Sequence, residues 1–268
     1  MMGTYRALLA RAMGRLASDR VALISSLIAI LLLALGASRI AVGMSAVPDD
    51  DPSRLAAALR SAGWEIGSRF FDMLLWILTI ALGLTFLDRD RTAGTVFGIL
   101  ARPVSRTSVF LTSWAAVALT LAALDWVRSG TLIVGASWLE GRVDPLHLLG
   151  VVAGLTGTWL LLTAFFSLSA LLRPSYAALT GIAGLYLTAV AFYKHQMLSG
   201  AALVAVNGVS SLLPLGLRQS DVVMGALQGT TGDSGPVVEV ILYRISWIAL
   251  LLFVGAFAYS RRDITPRG

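Results

Sequence analysis

Residues 146–172 read Leu-His-Leu-Leu-Gly-Val-Val-Ala-Gly-Leu-Thr-Gly-Thr-Trp-Leu-Leu-Leu-Thr-Ala-Phe-Phe-Ser-Leu-Ser-Ala-Leu-Leu, and no charged side chain interrupts them. About 20 apolar residues suffice to cross roughly 30 Å of hydrocarbon as a helix, and this run is longer. Its apolar residues are continuous rather than alternating, which is the pattern of a helix. In lipid the backbone must satisfy its own hydrogen bonds, and a helix does so within one segment. The run therefore predicts an all-α membrane protein.

The same pattern recurs on both sides. On the C-terminal side, Arg173-Pro174-Ser175 forms a tight turn, since proline stops one helix and suits the first turn of the next. A fifth span then reaches to about Tyr193. Residues 198–217 are apolar enough to cross but contain Asn207, Gly208, Ser210, Ser211 and Pro214. A crossing here would place Arg261 and Arg262 outside, against the charge pattern, so this segment is read as re-entrant from the outer face. A Gly/Ser/Thr turn at 228–236 leads into span 6 (237–260), which ends at Arg261-Arg262-Asp263.

On the N-terminal side, residues 140–145 form an outer turn, and span 3 opens at Arg106-Thr107. The 19 residue steps from Arg106 to Asp125 cover about 28 Å of helix, which sets Asp125, Trp126 and Arg128 near the opposite interface. Residues 129–139 are too short to cross again, so they either prolong span 3 or fold back. Span 2 occupies 70–87. Before it lies an outer loop (43–69), where Asp51-Pro52-Ser53 starts a short surface helix reaching about Trp64. Span 1 occupies 21–42, with Arg39 near its outer end. Residues 1–20 carry Arg6, Arg11 and Arg15 among Tyr5, Leu8, Leu9, Met13 and Leu16. They form either an amphipathic interfacial helix or a cytoplasmic extension of span 1. The expected architecture is six spans in one domain (1–268), with both termini cytoplasmic.

Composition agrees. Of 268 residues, 57% are hydrophobic and 13% charged, about half the charge of a typical soluble domain. The net charge of +6 does not indicate nucleic acid. The expected cytoplasmic segments hold twelve arginines (6, 11, 15, 20, 89, 91, 102, 106, 173, 261, 262 and 267) against Asp19, Asp88, Asp90 and Asp263. That excess is the positive-inside signal of membrane orientation. The absence of cysteine excludes disulfides and thiolate metal sites. The first apolar run lacks a small-residue cleavage site and reads as a retained span.

No catalytic engine is legible. The chain lacks a phosphate-cradling Gly-x4-Gly-Lys-Ser/Thr loop, and its sole lysine, Lys194, lies at an outer end. His147 and His195 are far apart, the seven methionines are scattered, and no Gly-x-Ser-x-Gly elbow appears. No cofactor or metal is expected on this chain. Charges within or bordering the spans are the exceptions to its apolar character. Asp125 and Arg128 share a helix face, as do Arg69 and Asp72, while Glu239 and Arg244 lie early in span 6. They serve either helix pairing or a substrate pathway, and Arg244, about a third of the way in, is the foremost pathway candidate.

Residues 88–106, Asp-Arg-Asp-Arg-Thr-Ala-Gly-Thr-Val-Phe-Gly-Ile-Leu-Ala-Arg-Pro-Val-Ser-Arg, join spans 2 and 3. Within them, residues 92–101 form a short helix presenting Val96, Phe97, Ile99 and Leu100, and Arg102-Pro103 breaks it. An arginine-flanked helix parallel to the membrane can dock in a soluble partner and transmit its motion. The pattern Asp90, Gly94-Thr95, Arg102-Pro103, Ser105-Arg106 resembles the cytoplasmic loop of the membrane subunits of type-two ATP-binding-cassette exporters. The basic N-terminal segment, the apolar dip after span 5 and the closing Phe257…Arg261-Arg262-Asp263 are also similar to that family. Two details differ: Asp90 replaces the family's usual Glu, and Ser113 stands near where a lysine is often found.

The resemblance implies a permease that pairs with a second membrane subunit, identical or not, each resting on a separate ATPase chain that binds ATP and Mg. It implies that 88–106 is the coupling helix. Gly94 would allow close approach, Thr95 would cap the next turn, and Val96, Phe97, Ile99 and Leu100 would form the knob. Arg102, Pro103 and Arg106 would fix it, with Asp90 at its start. The expected cargo is hydrophobic or amphipathic, and the expected location is a bacterial cytoplasmic membrane. Two alternatives differ in class. One is a non-transporting scaffold that passes ATPase motion to an extracytoplasmic assembly, and the other is an intramembrane enzyme, for which the catalytic constellation is missing.

Overall fold

The uncharged run at 146–172 folds as one uninterrupted helix, Pro145–Leu171. A computed structural model of the chain describes residues 2–18, 27, 75–87, 104–140, 145–173, 175–183, 222–223, 226 and 234–261. Six helices organise them: α1 (Met2–Ser18), α2 (Leu75–Leu87), α3 (Arg106–Glu140), α4 (Pro145–Leu171), α5 (residues 175–183) and α6 (Gly235–Arg261). There is no strand among the described residues. Three segments are long and apolar enough to cross a membrane: Arg106–Trp126, Leu148–Leu171 and Gly235–Arg261. The chain is a helical membrane protein.

The boundaries expected for spans 4 and 6 match α4 and α6 to within a few residues: α4 lies between Asp144 and Arg173 in the sequence, and α6 ends at Arg261. Residues 129–139 prolong span 3. At 35 residues, α3 is about 52 Å long, well beyond the roughly 30 Å hydrocarbon layer. The turn at Arg173 is also present. The Ala177 amide donates to the Arg173 carbonyl at 2.9 Å, and α5 starts immediately after. Span 1 (residue 27 apart), the outer-loop helix and the 198–217 segment lie outside the described residues.

Interhelical contacts fix the directions. Phe110 of α3 meets Phe166 of α4 edge-on at 5.1 Å. Two turns along, the Trp159 indole donates to the Ala118 carbonyl at 3.0 Å, so α3 and α4 are antiparallel. Between these contacts the Trp114 indole donates to Thr163 Oγ1 at 3.0 Å. Helix α6 runs parallel to α4, since Arg244 bonds to Ala153 and Leu251 to Ser167. Helix α1 runs beside the first half of α3 in the same direction, with Tyr5 at Ser108 and Met13 at Thr120. Ala12 and Leu16 of α1 are buried in the main core, while Arg6 and Arg11 are exposed.

Helix α4 is the centre of the bundle. Its Leu160, Leu161, Leu162, Phe165 and Phe166 are almost fully buried, against α2, α3, α5 and α6. Lipid tails are as apolar as leucine, so transmembrane helices gain by close packing rather than by escape from water. Small residues permit that approach. A Cβ on Gly255 of α6 would stand 2.6 Å from Ser167 Oγ and 2.7 Å from Phe110 Cζ. The α4 hydroxyls are satisfied locally or across helices: Thr156, Thr163 and Ser169 donate to carbonyls of their own helix, and Ser167 donates to Leu251 O at 2.8 Å.

Candidate functional site

One end of the bundle is basic. The directions above gather the start of α3 and the ends of α4 and α6 there, bringing Arg106, Arg173 and Arg261 to the same end. Ser105 caps α3: its Oγ accepts the Ser108 amide at 3.1 Å, satisfying one of the donors a helix leaves open at its start. Ser108 Oγ lies 2.7 Å from Ser105 Oγ and 3.2 Å from the Tyr5 hydroxyl, which ties α1 to this corner. Arg106, the first residue of α3, donates through Nη1 to the Ser260 carbonyl at 3.4 Å. That carbonyl is among the last of α6, where partner-less carbonyls carry partial negative charge, so the guanidinium suits it. Arg261 lies over the Phe257 ring, 4.2 Å from its centroid.

The second polar site lies deeper, at the interface of α4 and α6. Helix α6 buries Val237, Val240, Arg244 and Ile248 on one stripe, and Arg244 is only 6% exposed. Its Nη1 donates to the Ala153 carbonyl of α4 at 2.6 Å. The same oxygen accepts Thr156 Oγ1 at 2.8 Å. Gly157 makes room: a Cβ there would lie 3.0 Å from Arg244 Nη1. A charge within the hydrocarbon is costly unless it is paired or hydrogen-bonded, and here a backbone carbonyl is part of the answer. This arrangement holds α6 in register against α4.

Asp125 of α3 is also buried, at 4% exposure. It lies two turns beyond Ala118, and Ala153 lies six residues before Trp159, the partner of Ala118. At 1.5 Å per residue, Asp125 and Ala153 are therefore at about the same depth, and two buried charges from α3 and α6 occupy one layer of the bundle. Glu239, by contrast, is exposed on α6. Arg128 follows Asp125 on the same helix, but its side chain lies outside the described residues. So do Asp72, Asp90, Gly94, Thr95, Val96, Phe97, Ile99, Leu100, Arg102 and Pro103. Of the coupling residues expected from sequence, Arg106 alone is described.

Sequence reasoning missed the partners of the two arginines. Ser260, Ala153 and Gly157 carry no chemistry of their own. The available signal was Gly157 between two threonines in an otherwise apolar span, a small residue of the kind that marks close helix approach. No protein-family model matches this chain, and no curated protein matches it.

Proposed function

We propose that this chain is the permease subunit of an ATP-driven exporter of the type-two ATP-binding-cassette kind, moving a hydrophobic or amphipathic substrate. In this reading the chain has six spans with both termini in the cytoplasm of a bacterial cell, and the basic end of the bundle faces inward, following the positive-inside rule. A separate ATPase chain binds ATP and Mg and grips the 88–106 loop, and a second permease subunit completes the pathway. Residues 198–217 re-enter from the outer face, and α1 starts at the inner end and runs beside α3.

The observation that carries the proposal is the link from Arg106 to Ser260. Arg106 is the last residue of the motif-bearing loop, the first of α3, and a hydrogen-bond donor to the end of α6. A push on the loop is thereby delivered to α3 and α6 together, and through their packing to α4. The scarcity of charged residues along the spans suits apolar cargo.

The test is to ask whether a P-loop ATPase co-purifies with the chain and, with that ATPase, to co-reconstitute the two. Arg102→Glu and Gly94→Val are expected to abolish the stimulation of ATP turnover by this subunit while leaving complex assembly measurable. Undiminished stimulation in both variants refutes the coupling role. Stimulated turnover without movement of any amphiphile favours the scaffold alternative.

A further inference from the structure

The basic end of α6 carries an exposed aromatic and basic surface beside the Arg106 link. Phe253, Phe257 and Arg261 recur at four-residue spacing and so form one ladder along the helix. Phe253 is 71% and Phe257 50% exposed, and their rings stack at 6.4 Å with an interplanar angle of 19°. Leu250 and Val254 extend the exposed apolar face. Arg261 stacks on the last ring of the ladder at 4.2 Å, an arrangement that holds the guanidinium by cation–π attraction. Arg106 reaches the adjacent Ser260 carbonyl, bringing a second guanidinium to the same corner and offsetting the negative end of the helix.

The membrane-spanning length and composition of α6 determine what covers this face. We propose that the corner is a binding site for an anionic phospholipid, with its phosphate between Arg261 and Arg106 and an acyl chain along Phe257 and Phe253. Charge complementarity selects the lipid class. Among the described residues of this end (5–8, 104–108, 171–173 and 259–261) there are arginines but no Asp or Glu. The guanidinium groups of Arg106 and Arg261 suit an anionic headgroup, and twelve arginines against four aspartates in the expected cytoplasmic segments give this side a net positive charge. Basic pockets at helix ends on the cytoplasmic side bind such headgroups in this way. The proposal rests on α6 spanning the membrane and on the basic end facing the cytoplasm, and does not need the chain to be an exporter.

The experiment is native mass spectrometry of the full-length chain released from mixed phosphatidylglycerol/phosphatidylcholine nanodiscs. Phosphatidylglycerol is expected to be retained preferentially. Arg261→Gln and Arg106→Gln should each lower that preference about fivefold, the weight of one interfacial arginine. Arg11→Gln, on an exposed part of α1 outside this corner, should leave it unchanged. Phe257→Ala should shorten retention of phosphatidylglycerol without transferring the preference to phosphatidylcholine. Soluble glycerol phosphate should not compete, because it lacks the chain that the aromatic ladder holds. Equal retention of the two lipids by the wild type overturns the proposal. So does an undiminished preference in both arginine variants, or displacement by glycerol phosphate. Loss of the preference in Arg261→Gln with normal ATPase stimulation would separate this site from the coupling link, in which Arg106 also takes part.

Discussion

The guanidinium of Arg244 and the missing side chain of Gly157 form one fitted contact. Nη1 sits 3.0 Å from where the first side-chain carbon at 157 would stand and reaches past it to the Ala153 carbonyl at 2.6 Å. A methyl group there needs Nη1 to withdraw by a few tenths of an ångström, at the expense of that short bond.

The two positions are therefore expected to be non-additive. Gly157→Ala gains about 1 kcal/mol of helix propensity, while weakening a charge-assisted bond worth about 1.5–3 kcal/mol. The net effect is destabilising in the wild type. In an Arg244→Ala background the clash is gone, and the same substitution should be neutral or stabilising. Thermal melts of the four proteins in detergent complete the cycle, and an equal effect of Gly157→Ala in both backgrounds would refute the contact.

A second prediction concerns the other contact of α4 with α6. Gly255→Ala places a carbon 2.6 Å from Ser167 Oγ and 2.7 Å from Phe110 Cζ. The Phe110 ring is held between Phe166 and Tyr259. Overpacking of this kind costs about 1–3 kcal/mol. Ser167→Ala deletes only the bond to Leu251 O and should cost about 0.6 kcal/mol, the average for interhelical bonds in a membrane. Gly255→Ala should lower the melting temperature more than Ser167→Ala, and the reverse order would contradict the packing described.

Arg106 supplies a third. If the link to Ser260 conveys motion, Arg106→Ala should lower partner-stimulated ATP turnover by about tenfold or more, the equivalent of one hydrogen bond to a charged group. Arg106→Lys keeps the charge and should retain part of the stimulation. Stimulation by Arg106→Ala equal to that of the wild type would remove the link from the mechanism.

The fourth uses the absence of native cysteine. Single cysteines at Ser105 and Ser175 should react with a membrane-impermeant thiol reagent only after the cells are opened. A cysteine at Gly141, between α3 and α4 in the sequence, should react in intact cells. The opposite pattern would invert the proposed topology.

Sequence was most informative where a single property decides the outcome. Flanking charges mark the ends of α4 and the close of α6 at Arg261, and Arg173-Pro174 marks the turn between α4 and α5. It was ambiguous at 129–139, because eleven apolar residues suit either a continued helix or a fold-back, and tertiary packing decides between them. The helical character of 2–18 was legible from its spacing of arginines and leucines, but its place beside α3 was not. That depends on Tyr5 meeting Ser108, 103 positions away. Arg244 stood out as a charge in an apolar span. Its acceptor did not, because any backbone carbonyl looks alike in sequence, and only the fold selects Ala153.

The unbroken course of α3 has a mechanical consequence. Its membrane-crossing part ends at Trp126 and the helix continues to Glu140, so about 20 Å of rod extends past that point. A hydrogen-bonded rod resists bending in a way that a loop of equal length does not. Small tilts of α3 at Arg106 are magnified with distance along the shaft, giving the far tip the largest excursion on this helix and making it the natural place to attach a distance reporter.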